Sequence, residues 1–316
     1  MTRRGWIRAA QLLLVALTLG FVVRALAMQW TELRVVARTI ELEWEWIALA
    51  SVLVLATHAL LVQGWRLLLG GWDTAPPYLT SARIWSSANL GRYLPGKLWS
   101  IGALGMLAGR EGVSGVAATS AAILGTLLNL GAGFGIVAMS GAATFRGIDP
   151  QYSQLALAGA ILFLIGVLAL PLLLPPVLNW IARRRGLPPV DRHVSAGRLW
   201  IVTAINALSW VGYGLAFAAF TRGVTPQIAG APEAFIAVYT ASYVLGYLVL
   251  FAPGGIGYRE WALVALMVSI GMSTAPDATI LAAASRVWIT ILEITPGLIA
   301  LSLTPAAAPA RAPRTP

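Results

Sequence analysis

Few residues in this sequence are able to do chemistry, and most of them stand in apolar surroundings. Arg92 and Lys97 flank Tyr93-Leu94-Pro95-Gly96, Arg259 and Glu260 follow Ala252-Pro253-Gly254-Gly255-Ile256-Gly257, and Arg286 and Glu293 lie two helical turns apart on one helix face. Ionisable groups are costly in lipid and mark either a functional site or a structural pair. Both readings stay open here. Cationic groups beside exposed helix amino termini suit a phosphate, whereas Arg259-Glu260 and Arg286-Glu293 could pair with each other across a bundle. Arg110 and Glu111 are expected in a solvated turn. Trp85, Trp99, Trp200, Trp261 and Trp288 are expected to pack or to sit at interfaces.

Other chemistries find little material. Cysteine is absent, so disulfides, zinc thiolates and thiol nucleophiles are excluded. The two histidines, His58 and His193, are far apart and unmatched, so no metal or other cofactor is expected. No Gly-x-x-x-x-Gly-Lys-Ser/Thr loop occurs, which leaves no nucleotide as a driving force.

The elements that must position these residues are membrane helices. The chain has 316 residues, 58% hydrophobic and 11% charged, with apolar runs near the roughly 20 residues needed to cross a hydrocarbon core. Six spans are expected, near 11–28, 46–69, 113–140, 154–175, 199–221 and 278–303. The first follows Arg3, Arg4 and Arg8 and resembles a secretory signal with Ala25-Leu26-Ala27 as cleavage site; an uncleaved signal-anchor helix is expected. The third is rich in small residues, which suits close packing. Two further regions, about 80–108 and 233–271, are broken by Pro95-Gly96 and Pro253-Gly254. Each should fold as two half-helices meeting at unwound backbone, tolerated at membrane depth only beside protein or a water-filled cavity.

Net charge is +10, but the basic residues lie between apolar runs, where they report orientation and not nucleic acid. With a cytoplasmic amino terminus and each broken region returning to its side of entry, Arg183, Arg184, Arg185, Arg192, Arg198, Arg311 and Arg314 all fall inside. The opposite face receives Glu32, Glu41, Glu43, Glu45, Asp149, Glu233 and Asp277 against Arg34, Arg38, Arg146 and Arg222. The expected fold is thus an all-α membrane domain over 1–304, six spans plus two re-entrant hairpins, with a disordered cytoplasmic tail at 305–316. Block 46–140 and block 199–303 then read as an inverted repeat. Pro95-Gly96 precedes Gly112-Val113-Ser114 much as Pro253-Gly254 precedes Gly271-Met272-Ser273. Inverted repeats with paired broken helices bind cargo between the repeats.

Arg92-Tyr93-Leu94-Pro95-Gly96-Lys97-Leu98-Trp99, Pro253-Gly254-Gly255-Ile256-Gly257-Tyr258-Arg259-Glu260, and Arg286 with Pro296 ten residues on together resemble the lysylphosphatidylglycerol synthase transmembrane family. These flippase-like proteins include the amino-terminal half of the multiple peptide resistance factor, and the likeness covers nearly the whole chain. It implies movement of aminoacylated or glycosylated lipids between leaflets. The sequence departs from better-known members in lacking a soluble aminoacyltransferase domain, so lipid synthesis is not expected of it. Lys97 also stands where many relatives carry a Gly-Glu element a little further on, so an anionic glycolipid or polyprenyl-phosphate carrier fits Arg92 and Lys97 at least as well as a cationic headgroup.

The leading expectation is therefore a non-enzymatic inner-membrane flippase or transporter. Its cargo, a phospholipid, glycolipid or polyprenyl-phosphate-linked lipid, would meet Arg92, Lys97, Arg259, Glu260, Arg286 and Glu293, with Pro95, Gly96, Pro253, Gly254, Gly255 and Gly257 forming the breaks. Glu260 and Glu293 are the candidate proton carriers. The alternative is an integral-membrane transferase using a polyprenyl-linked donor, for which Glu32, Glu41, Glu43 and Glu45 are the candidate carboxylates. A non-catalytic partner of an envelope-biosynthesis enzyme, or a homo-oligomer, is also compatible with the small-residue faces.

Overall fold

The computed structural model describes residues 42–93, 98–145, 194–249 and 255–302, with scattered helical positions between 154 and 184. Several expectations lie outside the described residues: the span at 11–28, most of that at 154–175, Lys97, Pro95, Gly96, Pro253, Gly254, and the tail.

All described regular structure is helical. In chain order, α1 is Trp44–Leu69, α2 Tyr78–Asn89, continued by a 3-10 turn over Leu90–Tyr93, α3 Leu98–Arg110, α4 Gly115–Thr144, α5 Ala196–Val224, α6 Pro232–Leu248, α7 Tyr258–Ser269 and α8 Ala275–Ser302. Helices α1, α4, α5 and α8 are long and apolar enough to cross a membrane. At about 1.5 Å per residue α2, α3 and α7 each reach only about 20 Å, short of a hydrocarbon core of about 30 Å. Within apolar spans, hydroxyls return to their own backbone, as Ser51 does to Ile47 O and Thr57 to Leu53 O, both at 2.8 Å. That satisfies donors that lipid cannot.

The two blocks use their elements alike. Helices α1 and α5 pack along each other most extensively; α2 and α3 pack as a pair, as do α6 and α7; and α2 lies on α8 as α6 lies on α4. Helices α3 and α7 also end the same way. Gly112 and Gly271 have φ of +80° and +69°, a left-handed conformation that glycine adopts without a Cβ clash. The Val113 and Met272 N–H groups then reach back to Ala108 O and Met267 O at 3.1 and 2.9 Å, closing the helix ends in the Schellman pattern. Ser114 caps α4 through the Ala117 N–H, while in the second block the capping hydroxyl comes one residue later, from Thr274 to the Asp277 N–H.

Contacts between segment ends sort these turns into two groups at opposite ends of the bundle. At one end, the Ser114 N–H donates to Asp73 just after α1 at 2.7 Å, and Gly70 and Gly71 abut Arg198 and Val194 at the start of α5. At the other, the Glu43 N–H donates to Gly223 O near the end of α5 at 3.0 Å, and Arg222 lies over Trp46.

Candidate functional site

Helix α8 supplies a ruler for the site. Its 28 residues are about 42 Å long, and Arg286 and Glu293 fall in its middle third, both buried. They do not pair with each other. The Glu293 carboxylate takes a hydrogen bond from Arg92 Nη1 at 2.6 Å and another from the Tyr93 hydroxyl at 2.7 Å. Arg286 Nη1 lies 3.5 Å from Glu260 Oε1, whose other oxygen accepts the Gly257 N–H at 2.7 Å. One residue face of α8 thus meets the end of α2 at one level and the start of α7 about 10 Å away, at seven residues of 1.5 Å each. Past Glu293, Gly297 lies against Leu90 and the Ser86 carbonyl of α2.

Arg259 is placed differently from every other charge here. It is the second residue of α7, where an ideal Cβ built on Gly246 would fall 2.8 Å from Arg259 Cβ, and Gly255, at φ +69°, packs its backbone against Gly246. This close approach sends the guanidinium across α6. Its carbon lies 5.0 Å from the ring centroids of both Tyr239 and Tyr243, one turn apart on α6, a cation-π geometry. The residue is 3% exposed and its Nη2 has no hydrogen-bond partner. Among the described residues it forms no ion pair.

These groups surround a cavity of about 200 Å³ that Arg92, Arg259, Arg286, Glu293, Tyr243 and Asn129 help to line, with the unwound backbone at Gly255 on its wall. The volume lies below the roughly 300–1,000 Å³ of pockets that enclose a drug-sized ligand. It has room for a small group only. Asn129 donates to Asn206 at 2.8 Å, and Trp210 Nε1 donates to the Asn129 carbonyl at 2.8 Å, so the far wall is also polar.

Four of the six expected cargo-site residues, Arg92, Arg259, Arg286 and Glu293, therefore line one cavity. Glu260 stands behind Arg286 as its counter-charge and as the closure of the α7 amino terminus. Of the pairing across the bundle that the sequence left open, one contact forms, Glu260 with Arg286; Glu293 is taken instead by Arg92, and Arg259 pairs with neither carboxylate among the described ion pairs. Tyr239, Tyr243, Asn129 and Asn206 were not anticipated. Polar residues inside apolar spans were the available signal for the asparagines, and the tyrosine spacing of four residues that for the aromatic pair. His58 packs between Trp85 and Tyr213, its Nε2 lacking a partner among the described residues. Arg110 and Glu111 are exposed, as are Trp99, Trp200 and Trp261, whereas Trp288 is buried, stacks on Phe220 and donates to Ser51. Among the described residues no three His, Asp or Glu side chains gather as a metal ion requires.

No curated protein matches the sequence. A model of one protein family does, and it spans nearly everything described above: matched over residues 8–297, this multi-pass membrane chain belongs to the family of the lysylphosphatidylglycerol synthase TM region, which ties it to membrane lipids.

Proposed function

We propose that the protein is a lipid flippase or transporter that moves a phosphate-bearing lipid between leaflets by alternating exposure of the cavity on α8. The observation that carries this reading is Arg259, a buried cation with an unpartnered Nη2 on a headgroup-sized cavity. A buried charge without a counter-charge is strongly unfavourable. An anionic headgroup entering the cavity relieves that cost, while the acyl chains remain in lipid.

The architecture supports the transport part of the reading. Helices α2 and α3 begin and end at the end of the bundle that holds Asp73 and Ser114, and α6 and α7 at the end that holds Glu43 and Gly223. Two short, broken pairs thus read as re-entrant hairpins from opposite ends, with Arg92 and Tyr93 of one and Glu260 of the other reaching the middle of α8. The matching contacts of the two blocks fit an inverted repeat, whose rocking exposes a fixed midplane site to each side in turn. The first end carries Arg66, Arg110 and Arg198 against Asp73 and Glu111; the second carries Arg222 against Glu43, Glu45, Glu233 and Asp277. On the positive-inside rule the first is cytoplasmic; together with the span expected at 11–28, this reading gives a plasma-membrane protein with both termini in the cytoplasm.

Leaflet exchange of a headgroup-labelled phospholipid in proteoliposomes tests the proposal. Exchange by the wild type, lost in an Arg259→Leu variant that melts at an unchanged temperature, supports it. Exchange undiminished in Arg259→Leu, or absent from the wild type for every phosphate-bearing lipid tried, overturns it.

A further inference from the structure

The charges around the cavity specify the class of headgroup, an inference that rests on the transport reading above and sharpens it. Among the described residues three arginines and one glutamate line the cavity, and Glu260 lies directly behind Arg286. Glu293 neutralises Arg92 at 2.6 Å and Glu260 faces Arg286 at 3.5 Å. Among the described residues one positive charge is left over, that of Arg259. We infer that the site takes a headgroup with a single negative charge, a phosphodiester, and turns away aminoacylated headgroups whose ammonium group restores or reverses the charge.

The physical grounds are local. The faces of Tyr239 and Tyr243 lie on the Arg259 guanidinium at 5.0 Å; they stabilise the cation without neutralising it or supplying hydrogen-bond acceptors in its plane. Its Nη2 is buried, unpartnered and beside the cavity. A phosphodiester oxygen provides both the missing acceptor and the missing charge. A phosphomonoester brings nearly two negative charges at neutral pH, one more than the cavity leaves unmatched. An ammonium group brought beside Arg92, Arg259 and Arg286 meets one carboxylate on the lining, Glu293, which is already doubly occupied by Arg92 and Tyr93.

Equilibrium binding to the purified full-length chain, read by quenching of tryptophan with brominated-chain lipids, tests this directly. The probes are phosphatidylglycerol, phosphatidic acid, phosphatidylcholine and lysylphosphatidylglycerol, alike in their acyl chains. Phosphatidylglycerol should bind at least tenfold more tightly than the zwitterionic and lysyl lipids, the order expected for one charge-assisted hydrogen bond. It should also bind no more weakly than phosphatidic acid. Arg259→Gln should erase the preference and Arg259→Lys keep it. Glu293→Gln, which frees Arg92, should turn the preference toward phosphatidic acid, a test that survives even if Arg259→Gln does not fold. A wild type that binds the lysyl lipid or phosphatidic acid more tightly overturns the inference, as does an unaltered preference in Arg259→Gln or Glu293→Gln. Headgroup preference without leaflet exchange would instead overturn the transport reading alone, and exchange without headgroup preference the charge inference alone.

Discussion

Glu293 accepts a hydrogen bond from Arg92 at 2.6 Å although 201 residues of chain separate them. The pair joins the tip of the first broken region to the middle of the last helix, and the Tyr93 hydroxyl holds the second carboxylate oxygen. Removing one member leaves the other buried beside an apolar helix interface. Glu293→Leu should cost about 3 kcal/mol, the lower end for breaking a buried pair because the Arg92 side chain keeps 28% exposure. Arg92→Leu combined with Glu293→Leu should recover part of that loss. Melting of the three variants in detergent checks the prediction; additive losses would show that the pair contributes no coupling.

Gly246 lines the cavity and sets where Arg259 can stand. A methyl group at this position falls 2.8 Å from Arg259 Cβ and 3.2 Å from its Cα, so Gly246→Ala must shift α7 against α6. We expect headgroup affinity to fall by about tenfold while the melting temperature drops by only a few degrees, since overpacking costs roughly 1–3 kcal/mol. Gly102→Ala, with nothing within 4 Å of its added Cβ, serves as the control. Equal affinity in the two variants would remove Gly246 from the positioning of Arg259.

Opposite entry of the two broken regions is open to chemical labelling, and the absence of native cysteine makes it clean. Ser114→Cys should react with an impermeant maleimide only in inside-out vesicles, and Ser273→Cys only in right-side-out vesicles. Reaction of both from one side would rule out the inverted arrangement.

The acidic segment leading into α1 separates transport from transferase chemistry. Glu43 and Glu45 are exposed, and charges in water contribute little to a buried site. Replacing Glu41, Glu43 and Glu45 together by glutamine should change leaflet exchange by less than about threefold. Complete loss of activity in a normally inserted triple variant would favour a catalytic role for these carboxylates.

The broken regions were legible because proline and glycine interrupt long apolar runs, and a backbone without its helical bonds must be sheltered wherever it lies. Four spans were legible for a similar reason, with boundaries within a few residues of α1, α4, α5 and α8. The pairing of charges was legible only in part: the two groups do meet across the bundle, through Glu260 and Arg286, but Arg92 as the partner of Glu293 was not foreseen. Arg286 and Glu293 do share a helix face, as their spacing requires, but a shared face says which direction two side chains point and not which elements arrive there. At Arg259-Glu260, consecutive helix residues diverge by about 100°, so one turns toward the α6 tyrosines and the other toward Arg286 on α8. The role of Tyr239 and Tyr243 was hidden because aromatic residues in apolar spans usually only pack, and nothing local distinguishes a ring that also carries a cation.

The long reach between Arg92 and Glu293 also bears on how the protein is made. A nascent chain presents Arg92 to the membrane 201 residues before its counter-charge is synthesised. Until α8 inserts, Arg92 lacks Glu293, and an unpaired arginine is held near the aqueous boundary. The first region should therefore stay shallow during biogenesis and reach its final depth only when the last helix arrives. Chains arrested ahead of residue 293 should leave the segment around Arg92 open to protease, and release of a few dozen further residues should protect it; protection in the arrested chain would show that the region settles without α8.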